Sequence, residues 1–264
     1  RPTYGRVSRY GAMALSWTMD KLGPMCRGVE DCAAVLDAIR GADGRDRSAV
    51  DAPFCWRPDV DSADLRVGYI QPEFEAVSDK AGKALHDDVL EVLRGVGANP
   101  APVSLPKYPM WAITVILSTE GAAAFDDATR AGALDPMTEA DKSSWPDTFR
   151  RHRTVPAVEY LRAQRVRSAL MRDMDVLMRD WDVLVSPPWG ARSLAATNLT
   201  GHPSITVPCG FVDGMPRGIT FTGKLYDEAT VLAVARAYEQ ATDWHTRHPD
   251  LEKLSSIEKG GTTD

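Results

Sequence analysis

The sequence lacks any run of about 18 consecutive apolar residues, which excludes a transmembrane helix. Its first residues, R-P-T-Y-G-R-V-S-R-Y-G, have none of the apolar core that a secretory leader requires. Cysteine is sparse: Cys26, Cys32, Cys55 and Cys209 form no C-x-x-C pair and no zinc-ligand spacing. Four thiols make no disulfide framework, so a reducing, cytoplasmic compartment is expected, with the thiols buried and inert. An excess of positive charge is also missing. With 31 basic against 37 acidic side chains and a net charge of −6, neither a nucleic-acid nor a membrane partner is expected. His245 and His248 form an H-x-x-H pair without an intervening Glu or a third ligand, so no metal site is expected. The sequence contains no G-x-G-x-x-G after a strand, no phosphate-binding Walker loop, no G-x-S-x-G and no H-E-x-x-H, and no cofactor is expected.

What is there reads as a globular α/β protein. The composition is 44% hydrophobic and 26% charged. A length of 264 residues suits one large domain, or a sizeable piece of one, since single cores stop growing at roughly 250–300 residues. Residue 1 is Arg, and the chain is expected to begin inside a longer one. Apolar spacing predicts a helix over 29–39, with Val29, Ala33 and Leu36 inward, and a second over 79–97. Residues 41–64 read as a long loop, 65–70 as a strand and 103–105 as a short one. The segment 111–131 reads as helical, 135–154 as polar and turn-rich, and 157–181 as a long amphipathic helix. That last helix carries Arg162, Arg165 and Arg167, close to Arg150, Arg151 and Arg153. The cluster reads as a solvated face or an anionic-substrate contact rather than a nucleic-acid site. Residues 182–187, 204–210 and 218–223 read as strands, the last two joined through Asp213-Gly214. A helix over 227–244 follows, and the tail over 252–264 reads as disordered.

Several ordered motifs resemble the amidase signature family. The opening R-P-T-Y-G-R-V-S is similar to the segment that directly follows that family's Gly/Ser-rich signature. S-W-T-M-D-K-L-G-P-M-C-R-G-V-E-D-C-A (16–33) resembles its S-x-x-x-D-x-x-G-P-x-x-R-x-V-E-D-x-A, and G-A-D-G-R-D-R-S (41–48) its G-x-D-x-x-D-x-S. T-N-L-T-G-H-P-S-I-T-V-P-C-G-F (197–211) matches N-x-x-G-x-P-[AS]-[IL]-[ST]-[VI]-P-x-G. The likeness runs in order over about residues 1–251, read as the C-terminal portion of one amidase domain. It implies an α/β fold with a mixed central sheet covered by helices on both sides.

The resemblance also implies hydrolysis of an amide C–N bond by a Ser–cis-Ser–Lys triad. The Lys acts as base through the bridging Ser, the second Ser attacks the carbonyl, and backbone donors hold the oxyanion. No residue of this sequence matches the triad or the glycine-rich loop, which normally lie before the Arg-Pro-Thr with which it begins. No catalytic residue is therefore assigned, and the chain alone is expected to be inactive and poorly stable. Ser8, Ser16 and Ser204 read as structural hydroxyls. The candidate substrate-binding residues are Asp20, Asn198, Gly201 and His202. Asp20 is weighed against simply pinning the turn before Gly23-Pro24. The other three are read, with Pro203, as a turn between two strands. The expected partner is a small-molecule amide, with homodimerisation left open. In the family's amidotransferase members, an Asp shortly before the N-x-x-G-x-P motif of the A-type chain helps bind glutamine. Trp189–Ala196 contains no acid, which favours a stand-alone amidase. The alternatives are an amidotransferase A-subunit-like component and a non-catalytic amidase-like scaffold.

Overall fold

The computed structural model describes residues 1–137, 144–188 and 191–247. The tail over 252–264, His248 and the Trp189-Gly190 pair lie outside the described residues. Helix α1 (Val29–Ile39) starts and stops where its apolar spacing predicts, with Val29, Ala33 and Leu36 buried. Strand β1 (Val67–Ile70) leads through the short α2 (Gln71–Glu75) into α3 (Lys80–Gly95). Asp79 caps α3 by accepting from the backbone N–H groups of Ala81 and Gly82, which fixes its start. Strand β2 (Ala101–Val103) lies two residues earlier than the spacing suggested.

Residues 111–131 do not form one helix. The chain breaks into α4 (Met110–Ile113), α5 (Val115–Ala124) and α6 (Asp126–Arg130), with breaks at Thr114 and Phe125. The segment read as turn-rich contains α7 (Trp145–His152), anchored by Phe149, which stacks on Phe125 and Trp145. Helix α8 (Ala157–Asp180) then crosses the molecule to β3 (Val183–Ser186). A second unforeseen helix, α9 (Ala191–Thr200), precedes the hairpin of β4 (Ser204–Val212) and β5 (Met215–Gly223). The two hairpin residues, Asp213 and Gly214, both have positive φ, 51° and 75°, as a tight two-residue hairpin turn requires. Helix α10 (Glu228–Gln240) completes the fold.

The sheet runs β2-β1-β3-β5-β4, with β2, β1 and β3 parallel and β5 and β4 antiparallel to their neighbours. It is mixed, as the resemblance implies. Alternation along β3 divides the core: Val183 and Val185 face one layer and Leu184 the other. The first layer packs α1, α3 and α10 through Leu36, Leu93, Val234 and Tyr238. The second packs α4, α5, α8 and α9 through Ile113, Ile116, Leu170, Met174 and Leu199. Gly68 lets the layers close here, since a Cβ would lie 2.9 Å from the Leu184 side chain.

Two expectations about individual side chains are corrected. Cys26 and Cys55 are exposed and Cys32 is partly covered; only Cys209 is buried. Arg167 does not belong to a solvated face. It is buried because its guanidinium reaches the Leu199 carbonyl and both the hydroxyl and the carbonyl of Thr18. Arg150, Arg151, Arg153 and Arg162 do lie at the surface, paired with acids on α6, on α7, on α8 and at Asp135.

Candidate functional site

The predicted residues converge on the junction between the N-terminal segment and the α9–β4 connection, although not into one cleft. Arg1 lies antiparallel to the start of β4, with backbone bonds in both directions to Ser204. Its guanidinium donates to Asn198 Oδ1 at 2.6 Å and to Ser204 Oγ at 3.0 Å. Asn198 is therefore in the last turns of α9, not in a turn between strands. Gly201 ends that helix with φ of 84°, the left-handed conformation that glycine takes without steric cost. A Cβ there would stand 3.1 Å from the Tyr4 Cβ.

His202 is buried. Its Nδ1 lies 2.7 Å from Thr200 Oγ1, and that hydroxyl donates its one proton to the Ala196 carbonyl. Nδ1 must then be the donor, which fixes the ring tautomer. Burial, reinforced by the nearby Lys21 charge, pushes the imidazole down to about 4, so it is neutral near pH 7. Lys21 is a residue that the sequence pattern did not single out. Its Nζ donates to the His202 carbonyl at 2.8 Å and the Thr197 carbonyl at 3.4 Å, closing the C-terminal end of α9. The lysine stem keeps partial exposure while the ammonium is desolvated, which pushes it down to about 7.

Asp20 pins a turn, but the one upstream of the Gly-Pro step. Its Oδ2 accepts from the backbone N–H groups of Leu15 and Ser16 at 2.8 and 2.9 Å. It lines a surface cleft of about 440 Å³ together with Arg9, Trp17, Lys21 and Asp46. A second cleft, of about 380 Å³, lies across the sheet end. Arg1, Ser193, Thr197, Thr206, Thr220 and Thr222 line it together with Pro188, Leu194 and Gly218, so hydroxyl-bearing residues are set in a largely apolar wall that Arg1 borders. Asn198, Gly201 and His202 shape this wall from behind, through Arg1 and the end of α9. Such a wall suits a neutral polar or carbonyl-bearing ligand.

The three serines are engaged by distant groups, and Ser8 Oγ also accepts from the local Tyr10 backbone N–H at 3.2 Å. Ser8 Oγ donates to Asp43 at 2.7 Å, Ser16 Oγ to the buried Glu120 at 2.5 Å, and Ser204 Oγ accepts from Arg1. Among the described residues, none of the three hydroxyls is hydrogen-bonded to a Lys or His that could take its proton. Glu120 and Glu73 are further buried acids missed in the sequence. Glu120 also accepts from Thr18 and Tyr160. Glu73 accepts from the Ser193 backbone N–H at 2.6 Å, holding the start of α9, and burial pushes its carboxyl up to about 7. Among the described residues no cluster of three or more His, Cys, Asp or Glu could hold a metal. No described helix is long and apolar enough to cross a membrane.

A family model described as Amidase matches residues 1–195. The chain belongs to the amidase signature family. It is 33% identical to the A subunit of the glutamyl-tRNA(Gln) amidotransferase of Roseiflexus sp. (strain RS-1), over 95% of this chain and 60% of that protein. The native peptide amidase from Stenotrophomonas maltophilia is 28% identical, with a TM-score of 0.76 over 94% of this chain and 58% of that one. A bacterial aryl acylamidase at 19% identity, TM-score 0.73, shares the fold. The chain thus spans about 60% of the length of the curated relatives it matches.

Proposed function

We propose that this chain is the substrate-side portion of an amidase that hydrolyses the C–N bond of a small carboxylic amide. In this reading the Ser–cis-Ser–Lys machinery lies upstream of Arg1, in the part of the family's length that the chain does not span. The supporting observation is the threonine-bearing, largely apolar cleft between α9, β4 and β5, bordered by Arg1, in a chain where the hydroxyls of Ser8, Ser16 and Ser204 are hydrogen-bonded to no Lys or His. The wall orients the amide, and the nucleophile and oxyanion donors come from the other portion. No cofactor or metal takes part, the site of action is the cytoplasm, and the partner is the small amide, with homodimerisation open. Asn198, Gly201 and His202 hold the wall in place, with Arg1 and Thr197 on its surface, while Asp20 lines the neighbouring cleft.

A second reading, an A-subunit-like component of an amidotransferase, is favoured by the 33% identity that extends over 95% of the chain. The described part of the stretch before Asn198 still offers no acid for glutamine, so the stand-alone amidase comes first. The test is ammonia release from small carboxamides and from glutamine by a polypeptide that joins the chain to a family segment carrying the signature. Hydrolysis of simple carboxamides that drops when Thr197 and Thr220 are both changed to Val supports the first reading. Turnover of glutamine alone supports the second. Full turnover by the present chain without the added segment overturns both, and a joined protein that binds amides without hydrolysing them indicates a scaffold.

A further inference from the structure

A cavity of about 220 Å³ opens into the first core layer, on the opposite face of the sheet from the threonine-bearing cleft. Leu85, Val89 and Val92 of α3 line it together with Cys209, Tyr238 and Trp244. Val89, Cys209 and Tyr238 are at most 2% exposed, so the cavity reaches the packed interior. Gly210 lets α3 come this close to β4, since a Cβ there would stand 2.7 Å from the Leu85 side chain. Buried tyrosine hydroxyls usually find a partner. Tyr238 is 1% exposed, yet among the described residues its hydroxyl has none. Asp88 and Asp243 complete the lining. Two cations stand near, and both are engaged: Arg247, over the Trp244 ring, pairs with Asp243 at 2.8 Å, and Arg217 pairs with Asp79 at 3.9 Å. Asp88 is exposed and, among the described residues, has no cation of its own. Burial raises both the Tyr238 phenol and the Cys209 thiol, the latter to about 12, so the interior is uncharged near pH 7 and the rim is negative.

We propose that this cavity between α3, β4 and the end of α10 is a binding site for a small arylalkylamine, held as its ammonium ion. The ring fills the apolar interior, for which the volume suffices, since a cavity of about 150 Å³ accepts benzene. The ammonium stays at the rim beside Asp88, where continued hydration spares it the cost of full burial. The Tyr238 hydroxyl, which shares the cavity with Asp88, is the acceptor available to one of its N–H groups. A carboxylate of the same shape is disfavoured, because Asp88 and Asp243 both border the opening. The site is independent of the amidase reading, being walled off from the threonine-bearing cleft by the sheet itself.

The test uses phenethylammonium as the probe, titrated calorimetrically into the chain at neutral pH, with phenethyl alcohol and phenylacetate as its neutral and anionic counterparts. The ammonium is expected to bind, the alcohol to bind more weakly and the carboxylate not at all. Asp88→Asn and Tyr238→Phe should each weaken the ammonium by about two- to fivefold, the size of one exposed ion pair or one hydrogen bond. Val92→Phe fills the cavity from α3 and should abolish binding, with circular dichroism confirming that the variant folds. A further readout needs no variant. Methyl methanethiosulfonate is applied with and without saturating probe, and each thiol is followed by peptide mass spectrometry. Modification of Cys209 should slow by about threefold or more, while the exposed Cys26 and Cys55 keep their rates. Absence of phenethylammonium binding, equal affinity for the alcohol, unchanged affinity in Val92→Phe, or an unprotected Cys209 would overturn the assignment.

Discussion

Replacing Arg6 with Met strikes the most heavily buried charged side chain among the described residues. Arg6 is 0% exposed, and its Nε lies 3.3 Å from the Glu228 carboxylate, itself 3% exposed. Its two Nη groups donate to the Ala52 and Pro53 carbonyls at 3.0 and 2.7 Å, and the guanidinium lies 5.8 Å from the rings of Phe54 and Tyr226. Met fills much of the volume but leaves the buried Glu228 without its cation and strands the Pro53 carbonyl, while the Ala52 carbonyl keeps its bond from Arg40. Removing one partner of a buried pair costs about 3–5 kcal/mol. For a chain of this size each kcal/mol lowers Tm by about 2–4 °C, so the expected fall is about 6–20 °C. Arg6→Met combined with Glu228→Gln should lose less than the sum of the single changes, because the neutral amide removes the stranded charge while still accepting from Thr3 N–H. Equilibrium urea unfolding of the four proteins completes the cycle. Additive losses, or an Arg6→Met loss below about 1 kcal/mol, would refute the view that this pair ties the N-terminal segment to α10.

Further outcomes follow from the buried groups around α9. The Glu73 carboxyl is raised in the folded state, so its neutral form contributes stability below about pH 4.5 that is lost as pH rises through about 7. Glu73→Gln should therefore stabilise at pH 8, by about 3 kcal/mol at most, and change little at pH 4; chemical denaturation at both pH values checks this. Lys21 has the opposite slope. Its folded-state value is depressed to about 7, so the unfolded chain binds the extra proton and stability rises between about pH 7 and 10. Lys21→Met should flatten that rise. Gly201→Ala should cost about 1–2 kcal/mol from its left-handed backbone alone, read as a lower urea midpoint.

The layered α/β frame was legible because α1, α3, α8 and β3 carry their burial in their spacing. The hairpin was legible because Asp213-Gly214 has few other uses. Helix α9 was not, since A-R-S-L-A-A-T-N-L-T has a weak apolar pattern and its first turn is held by Glu73, more than a hundred residues away in sequence. Long-range capping of that kind leaves no local trace. Arg167 was hidden in a run of exposed arginines, and only the arrival of Leu199 and Thr18 distinguishes it. Glu120 did leave a signal: it is the single charged residue between Met110 and Phe125, and a lone charge in an apolar run points to a buried partner network. The candidate site was legible as motifs but not as geometry. The sequence placed Asp20 and His202 in recognisable patterns, whereas Lys21, which joins their two segments, carried no pattern of its own.

In the proposed function this chain supplies the wall of an amidase site and none of its nucleophiles. A fluorophosphonate probe, which traps activated serines covalently, tests it most directly when applied to the folded chain alone and to the chain joined to a signature-bearing segment. No labelling of Ser8, Ser16 or Ser204 is expected in the chain alone, and stoichiometric labelling of one serine is expected in the added segment of the joined protein. Stoichiometric labelling of any serine in this chain, abolished by prior denaturation, would contradict it.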